Sequence, residues 1–195
     1  MFSERFARAL AYAEHLHARQ RRKATNKPYI GHLMSVTSIV VAYGGDEEMA
    51  IAALLHDAVE DHGGEKRLRE IRRKFGERVA RIVDGCTDSY SEPKPPWLVR
   101  KQEYIARVAA EDGDTRFVSA ADKLSNVRDI LQDVRTKGDA AFERFQGRKE
   151  GTLWYYRALV CEFRKAGTNP LVDELDRVVG ELEREADPRK LLRED

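Results

Sequence analysis

Across 195 residues, 35 Lys and Arg stand against 34 Asp and Glu, and 42% of the chain is apolar. That length and composition allow one well-packed domain, and a net charge of +1 gives no general attraction to nucleic acid or to an anionic membrane. The longest apolar stretch, residues 49–55, is far short of the ~20 residues that a membrane span requires.

Helical periodicity dominates from the N-terminus onward, and no segment alternates like a strand. The pattern predicts helices over 3–21, 31–43, 46–60, 65–75, 77–86, 98–111, 114–134, 139–146, 150–166 and 170–186. In the first, Phe6, Leu10, Ala13 and Leu16 are spaced for a core-facing stripe. Glu4 and Glu14 interrupt the arginines that would otherwise look like a transit peptide, so the segment reads as structural and the protein as cytoplasmic. Gly44-Gly45, Gly63-Gly64, Gly76, Gly113, Gly138, Gly147 and Gly167 fall between the helices, where C-caps and loops are expected. The Pro-rich run 91–97 is a semi-rigid loop. The fold expected is all-α, a single bundle of about eight to ten helices over 1–186, followed by a charged tail at 187–195. Cys86 and Cys161 share no motif spacing, so neither belongs to a thiolate metal site.

The chemistry is concentrated in Ala-Ala-Leu-Leu-His56-Asp57-Ala-Val-Glu60-Asp61, an apolar run that ends in four ionisable groups within six positions. On a continuous helix, His56 would share a face with Glu60 and Asp57 with Asp61. Buried groups of this kind need partners, and a cation is the simplest one. His32 lies upstream and Asp122 downstream. Two imidazoles and two carboxylates suit a borderline ion such as Mn²⁺, Fe²⁺, Co²⁺ or Zn²⁺ better than Ca²⁺ or Mg²⁺. At the end of a helix the charges of Glu60 and Asp61 would oppose the dipole, so the pair calls for a compensating positive charge, which the metal would supply.

The His … His-Asp … Asp arrangement resembles the HD superfamily of phosphohydrolases. Arg22-Lys23 … Pro28-Tyr29-Ile30-Gly31-His32, the His56-Asp57-x-x-Glu60-Asp61 element and Asp122-Lys-Leu-Ser-Asn126-Val-Arg128 narrow the resemblance. They are similar to the alarmone hydrolases, the hydrolase domain of the Rel/SpoT family and its single-domain relatives. That resemblance implies one Mn²⁺ held by His32, His56, Asp57 and Asp122, with Glu60 and Asp61 as the catalytic pair. It also implies nucleotide contacts from Arg22, Lys23, Tyr29, Asn126 and Tyr155.

The implied reaction is hydrolysis of a 3′-diphosphate on a guanosine or adenosine nucleotide, releasing pyrophosphate. The partner is then a small-molecule nucleotide, with no nucleic acid or membrane, on a monomer or homodimer. Long relatives carry a synthetase domain, for which this length leaves no room, so the chain would degrade the nucleotide without making it. Three positions depart from the family pattern: Leu33 for a usual Pro, Cys86 for Val, and His62 for a small polar residue. Alternatives are an HD enzyme acting on nucleoside monophosphates or dNTPs, and a non-catalytic nucleotide-binding or antitoxin-like partner.

Overall fold

A computed structural model describes residues 2–22, 26–90 and 93–187. These form ten α-helices and one short 3₁₀ turn, with no strand among them; the single isolated β-bridge pairs Arg21 with Pro28. The expected charged tail lies outside the described residues from 188 onward. The chain folds into two compact units, residues 1–96 with 111–122, and residues 97–110 with 123–195.

The first unit is built around α3 (Glu47–Leu55), in which every residue from Met49 to Leu55 is buried. A helix that is apolar all round can only be a central element. It packs against α1 (Glu4–His17), α2 (Ile30–Ala42) and α6 (Glu77–Cys86). Asp46 caps its N-terminus by accepting from the Met49 amide at 3.0 Å, and Arg78 ties that cap to Asp114 on α8 (Gly113–Lys137). Asp114 lies in the part of α8 that belongs to this unit. Gly85 lets α6 approach that segment closely, since a Cβ there would lie 2.4 Å from Thr115 Cγ2.

Helices α6 and α10 (Pro170–Ala186) span the residues that the periodicity predicts. Two differences from the expected helices bear on function. Helix 46–60 is two helices: α3 ends at Leu55, His56 and Asp57 form a turn, and α4 (Ala58–Asp61) begins anew. Asp57 has φ −94° and ψ −6°, outside regular helix geometry, with no Gly or Pro nearby to account for the break. Tertiary packing of the turn has overridden local helix propensity. The first helix ends at His17, four residues early, because the chain leaves it to pair Arg21 with Pro28 and to hydrogen-bond the Arg22 amide to the Lys27 carbonyl at 2.9 Å. The remaining element of this unit, α5 (Gly64–Phe75), enters through Gly63 at φ +113°, a left-handed conformation that glycine adopts without penalty.

The second unit contains α7 (Trp97–Val108), the later part of α8, α9 (Arg148–Ala166) and α10, which packs on α9 as does α7. The segment expected as helix 139–146 is instead the 3₁₀ turn Gly138–Phe142. Ion pairs from Arg128 to Glu174 and from Arg157 to Glu183 and Asp176 bind α8 and α9 to α10.

Candidate metal centre

Three features of the first unit bring the site together. Tyr29 leads into α2 and sets His32 in its first turn; the buried α3 delivers His56 and Asp57 at its end; and α8 contributes Asp122, the last residue of the unit. The side-chain atoms converge. His32 Nε2 lies 3.7 Å from Asp57 Oδ2 and 3.3 Å from Asp122 Oδ1, and His56 Nε2 lies 3.0 and 3.5 Å from the same two atoms. An ion bound at about 2.0–2.2 Å holds neighbouring ligand atoms at roughly 3–3.5 Å, which is close to this spacing. Both histidines are almost fully buried, whereas Asp57 keeps 22% of its side chain exposed.

The histidine tautomer also fits a cation. His56 Nδ1 donates to the Ala53 carbonyl at 2.8 Å, which leaves the lone pair on Nε2. Nε2 is buried and makes no hydrogen bond, although it faces two carboxylates. Those negative groups and a lone pair need a positive charge between them, either a proton or a metal ion. Burial lowers the His56 pKa, but Asp57 and Asp122 outweigh it and hold the imidazole well above its ordinary range. Burial likewise opposes ionisation of Asp57, yet His56 and then His32 hold that carboxyl far below the usual carboxylate range.

The sign of the pH effect follows. Without metal, His56 keeps its proton up to a raised pKa, so a cation must displace it. Metal binding is therefore expected to release about one proton per ion near neutral pH and to weaken as pH falls. Titration calorimetry in two buffers of different ionisation enthalpy measures this. An apparent enthalpy that does not depend on the buffer would contradict it.

The residues around these side chains hold them in place. The Tyr29 hydroxyl donates to Asp57 Oδ2 at 2.6 Å, its ring stacks on His17 and meets His32 edge-on, and Arg22 lies 5.8 Å from the ring centroid. Burial, and then the charge of Asp57, push the Tyr29 phenol pKa up, so it remains a donor. The sequence marked Tyr29 as a nucleotide contact; the hydrogen bond to Asp57 was not legible there.

The dipole expectation for Glu60 and Asp61 is overturned. α4 starts afresh at Asp57 and is one turn of four residues, so Glu60 and Asp61 do not close a long helix whose dipole would oppose them. Nor is the metal needed to balance Glu60, since Lys94 Nζ meets its Oε1 at 2.7 Å. Asp57 and Asp61 keep an i,i+4 backbone relation, the Asp61 amide donating to the Asp57 carbonyl at 3.0 Å, but the side chains of the acidic pair turn to other partners. Glu60 instead takes Lys94 and the Asp88 amide as partners, and Asp61 takes Gln20 Nε2 at 2.7 Å.

Of the remaining expected contacts, Lys23 lies outside the described residues. Asn126 follows Asp122 by four residues on α8 and belongs to the second unit, as does Tyr155. Tyr155 is 7% exposed, packs edge-on to Trp97 and Tyr156, and has Lys101 Nζ 4.9 Å from its ring centroid. Nothing in the sequence pointed to Gln20 or His17, and only its departure from the family pattern drew attention to His62.

Residues 9–152 match the family described as HD domain. The guanosine-3′,5′-bis(diphosphate) 3′-pyrophosphohydrolase of Aquifex aeolicus is 34% identical over 128 residues, which cover 66% of this chain but 18% of that much longer protein. The Drosophila melanogaster protein of the same description, MESH1, is 36% identical over 137 residues, 69% of this chain and 74% of its own length. A solved structure described as a metazoan ortholog of SpoT that hydrolyses ppGpp superposes with a TM-score of 0.76 at 28% identity, covering 93% of this chain and 97% of that one. With His32 on α2 and His56 and Asp57 at the end of the buried α3 placed so that they could hold a metal ion, this chain belongs to the HD-domain family.

Proposed function

We propose that this chain hydrolyses the 3′-diphosphate of a ppGpp-type nucleotide, frees pyrophosphate, and uses Mn²⁺ held by His32, His56, Asp57 and Asp122. One observation carries the reading: each of two imidazole nitrogens lies 3.0–3.7 Å from each of two carboxylate oxygens, beside an acidic pair of which Glu60 is balanced by Lys94. The names borne by the similar Aquifex aeolicus and Drosophila melanogaster proteins support the substrate class.

When bound, the ion supplies Lewis-acid activation of water and neutralises charge on the phosphate. The protein does the rest. Tyr29 fixes the rotamer of Asp57 through its hydroxyl. Gln20 occupies Oδ2 of Asp61 and leaves Oδ1 to orient the attacking water and accept its proton. Glu60, held by Lys94 and the Asp88 amide, supports proton exchange from its own turn of α4. The Arg22 guanidinium, beside the Tyr29 ring, offers a plane on which a purine can stack. For Lys23, Asn126 and Tyr155 as nucleotide contacts, the support is the sequence resemblance alone.

Assays of Mn²⁺-loaded protein with ppGpp, pppGpp, ppApp and dNTPs side by side test the proposal. Turnover of the 3′-diphosphates is expected; preferential turnover of dNTPs would overturn it. Arg22→Ala is expected to raise KM and to leave kcat little changed, because stacking binds ground state and transition state about equally. An unchanged KM in steady-state kinetics would move the base-binding surface elsewhere.

A further inference from the structure

The chain leaving α1 and the chain leaving α4 meet in a polar cluster outside the metal centre. His17, buried at the end of α1, places Nδ1 2.7 Å from Gln20 Oε1. His62, the first residue after α4, places Nε2 2.8 Å from the same oxygen. The two imidazoles meet edge to face with ring centroids 4.5 Å apart. On its other side, the Gln20 amide donates through Nε2 to Asp61 Oδ2 at 2.7 Å.

His62 Nε2 also lies 3.3 Å from His17 Nδ1, and the shorter bonds of both to the Gln20 oxygen select the direction of each donor. An ionised carboxylate only accepts, so the amide must turn its NH₂ toward Asp61 and its oxygen toward the imidazoles. Two N–H groups can share that oxygen: His17 through Nδ1 and His62 through Nε2. His17 Nε2 is then unprotonated, in keeping with its burial and its lack of any hydrogen-bond partner. Burial also holds the His17 pKa below its ordinary value, which keeps the ring neutral. The cluster is anchored at both ends, by the His17 ring stacked on Tyr29 and by Arg67 Nε donating to the His62 carbonyl at 2.9 Å.

We propose that Gln20, locked by His17 and His62, is a positioning residue that holds the Asp61 carboxylate in a single orientation. The inference rests on the role given to Asp61 above. Asp61 is exposed, lies at the end of a four-residue helix, and has Gln20 as its side-chain hydrogen-bond donor among the described residues. Without that bond its carboxylate would sample several rotamers, and the chemical step would bear the cost of ordering it. His62 gives the Gln20 oxygen a second donor, so the amide is held from two sides.

Gln20→Leu in Mn²⁺-loaded protein is expected to lower kcat on the order of 10- to 100-fold, with KM and metal content unchanged. In an Asp61→Asn background the same change should cost nothing further, because both substitutions act on one carboxylate. His62→Gln, which keeps an N–H donor, should recover most of the rate that His62→Ala loses. A second readout needs no turnover. Long-range ¹H–¹⁵N NMR of Zn²⁺-loaded protein, which is diamagnetic, should show His17 as the Nδ1–H tautomer and should lose that preference in Gln20→Leu. Independent losses in the double variant, loss of metal in Gln20→Leu, or His17 as the Nε2–H tautomer would each overturn the proposal. If the wild-type protein hydrolyses none of the nucleotides, the functional reading fails on its own and the tautomer still tests the lock of Gln20 by His17.

Discussion

His56→Ala and Asp57→Asn are each expected to lose bound metal and nearly all turnover, by well over 10²-fold. Residues that merely support a ligand already cost about 10- to 100-fold in metal affinity or activity when replaced, and these two are proposed as ligands themselves. The two variants fail for different reasons. His56→Ala removes the nitrogen whose lone pair is set by the Nδ1 bond to Ala53, and it leaves Asp57 and Asp122 facing each other without the imidazole. Asp57→Asn keeps a side chain of the same shape, with an oxygen for the Tyr29 hydroxyl, yet removes the charge. It is therefore the cleaner test, because its fold should survive. Metal analysis, circular dichroism and turnover measured on the same sample decide the matter. Chelation of the wild-type protein should match the Asp57→Asn result and Mn²⁺ should reverse it. A folded Asp57→Asn protein with full metal content and full rate would remove Asp57 from the site.

Asp61→Asn and Glu60→Gln are expected to keep the metal and lose rate, on the order of 10²–10⁴-fold for a residue that transfers a proton. Both changes preserve size. Each introduced amide keeps a carbonyl oxygen, which could still accept from Gln20 in the first variant and from Lys94 in the second, so the local structure has no reason to collapse. Asp61 should show the larger loss, since Lys94 neutralises Glu60 while the partner of Asp61 among the described residues is the uncharged amide of Gln20. Rates measured at saturating nucleotide, with metal content determined alongside, would separate this from a binding defect. Near-normal kcat in both variants would make the pair an ordinary acidic first turn of α4.

The candidate ligands were legible in the sequence because they sit where periodicity and chemistry conflict. An apolar helix that ends in His56-Asp57 has no structural reason to carry those groups, and His32 and Asp122 completed the pattern through family resemblance. The helices over 77–86 and 170–186 were legible because glycine, proline and a capping asparagine punctuate them. The break between α3 and α4 was not, since Ala-Leu-Leu-His-Asp-Ala-Val contains no helix breaker and only tertiary packing turns it. The dipole argument for Glu60 and Asp61 failed with it, because the pair lies in a separate four-residue turn and does not close the long helix that the argument required. Contacts that orient the site were also hidden. Tyr29 reaches Asp57 across 28 residues, Lys94 reaches Glu60 across 34 and Gln20 reaches Asp61 across 41, and no periodic pattern encodes such pairs.

Product analysis by ³¹P NMR, with ppGpp and Mn²⁺-loaded protein, tests the central claim most directly. The Asp61 carboxylate and the metal cluster are proposed to act on the phosphorus next to the ribose 3′-oxygen, while Arg22 holds the base. Attack there breaks the bond between that phosphorus and the 3′-oxygen, so both phosphates leave together and the nucleoside keeps a free 3′-hydroxyl. Pyrophosphate should therefore appear from the first turnover, in step with substrate loss and with the 5′-diphosphate resonances intact. Stepwise release of orthophosphate, or cleavage confined to the 5′ side, would contradict the assignment of this site to 3′-pyrophosphate hydrolysis.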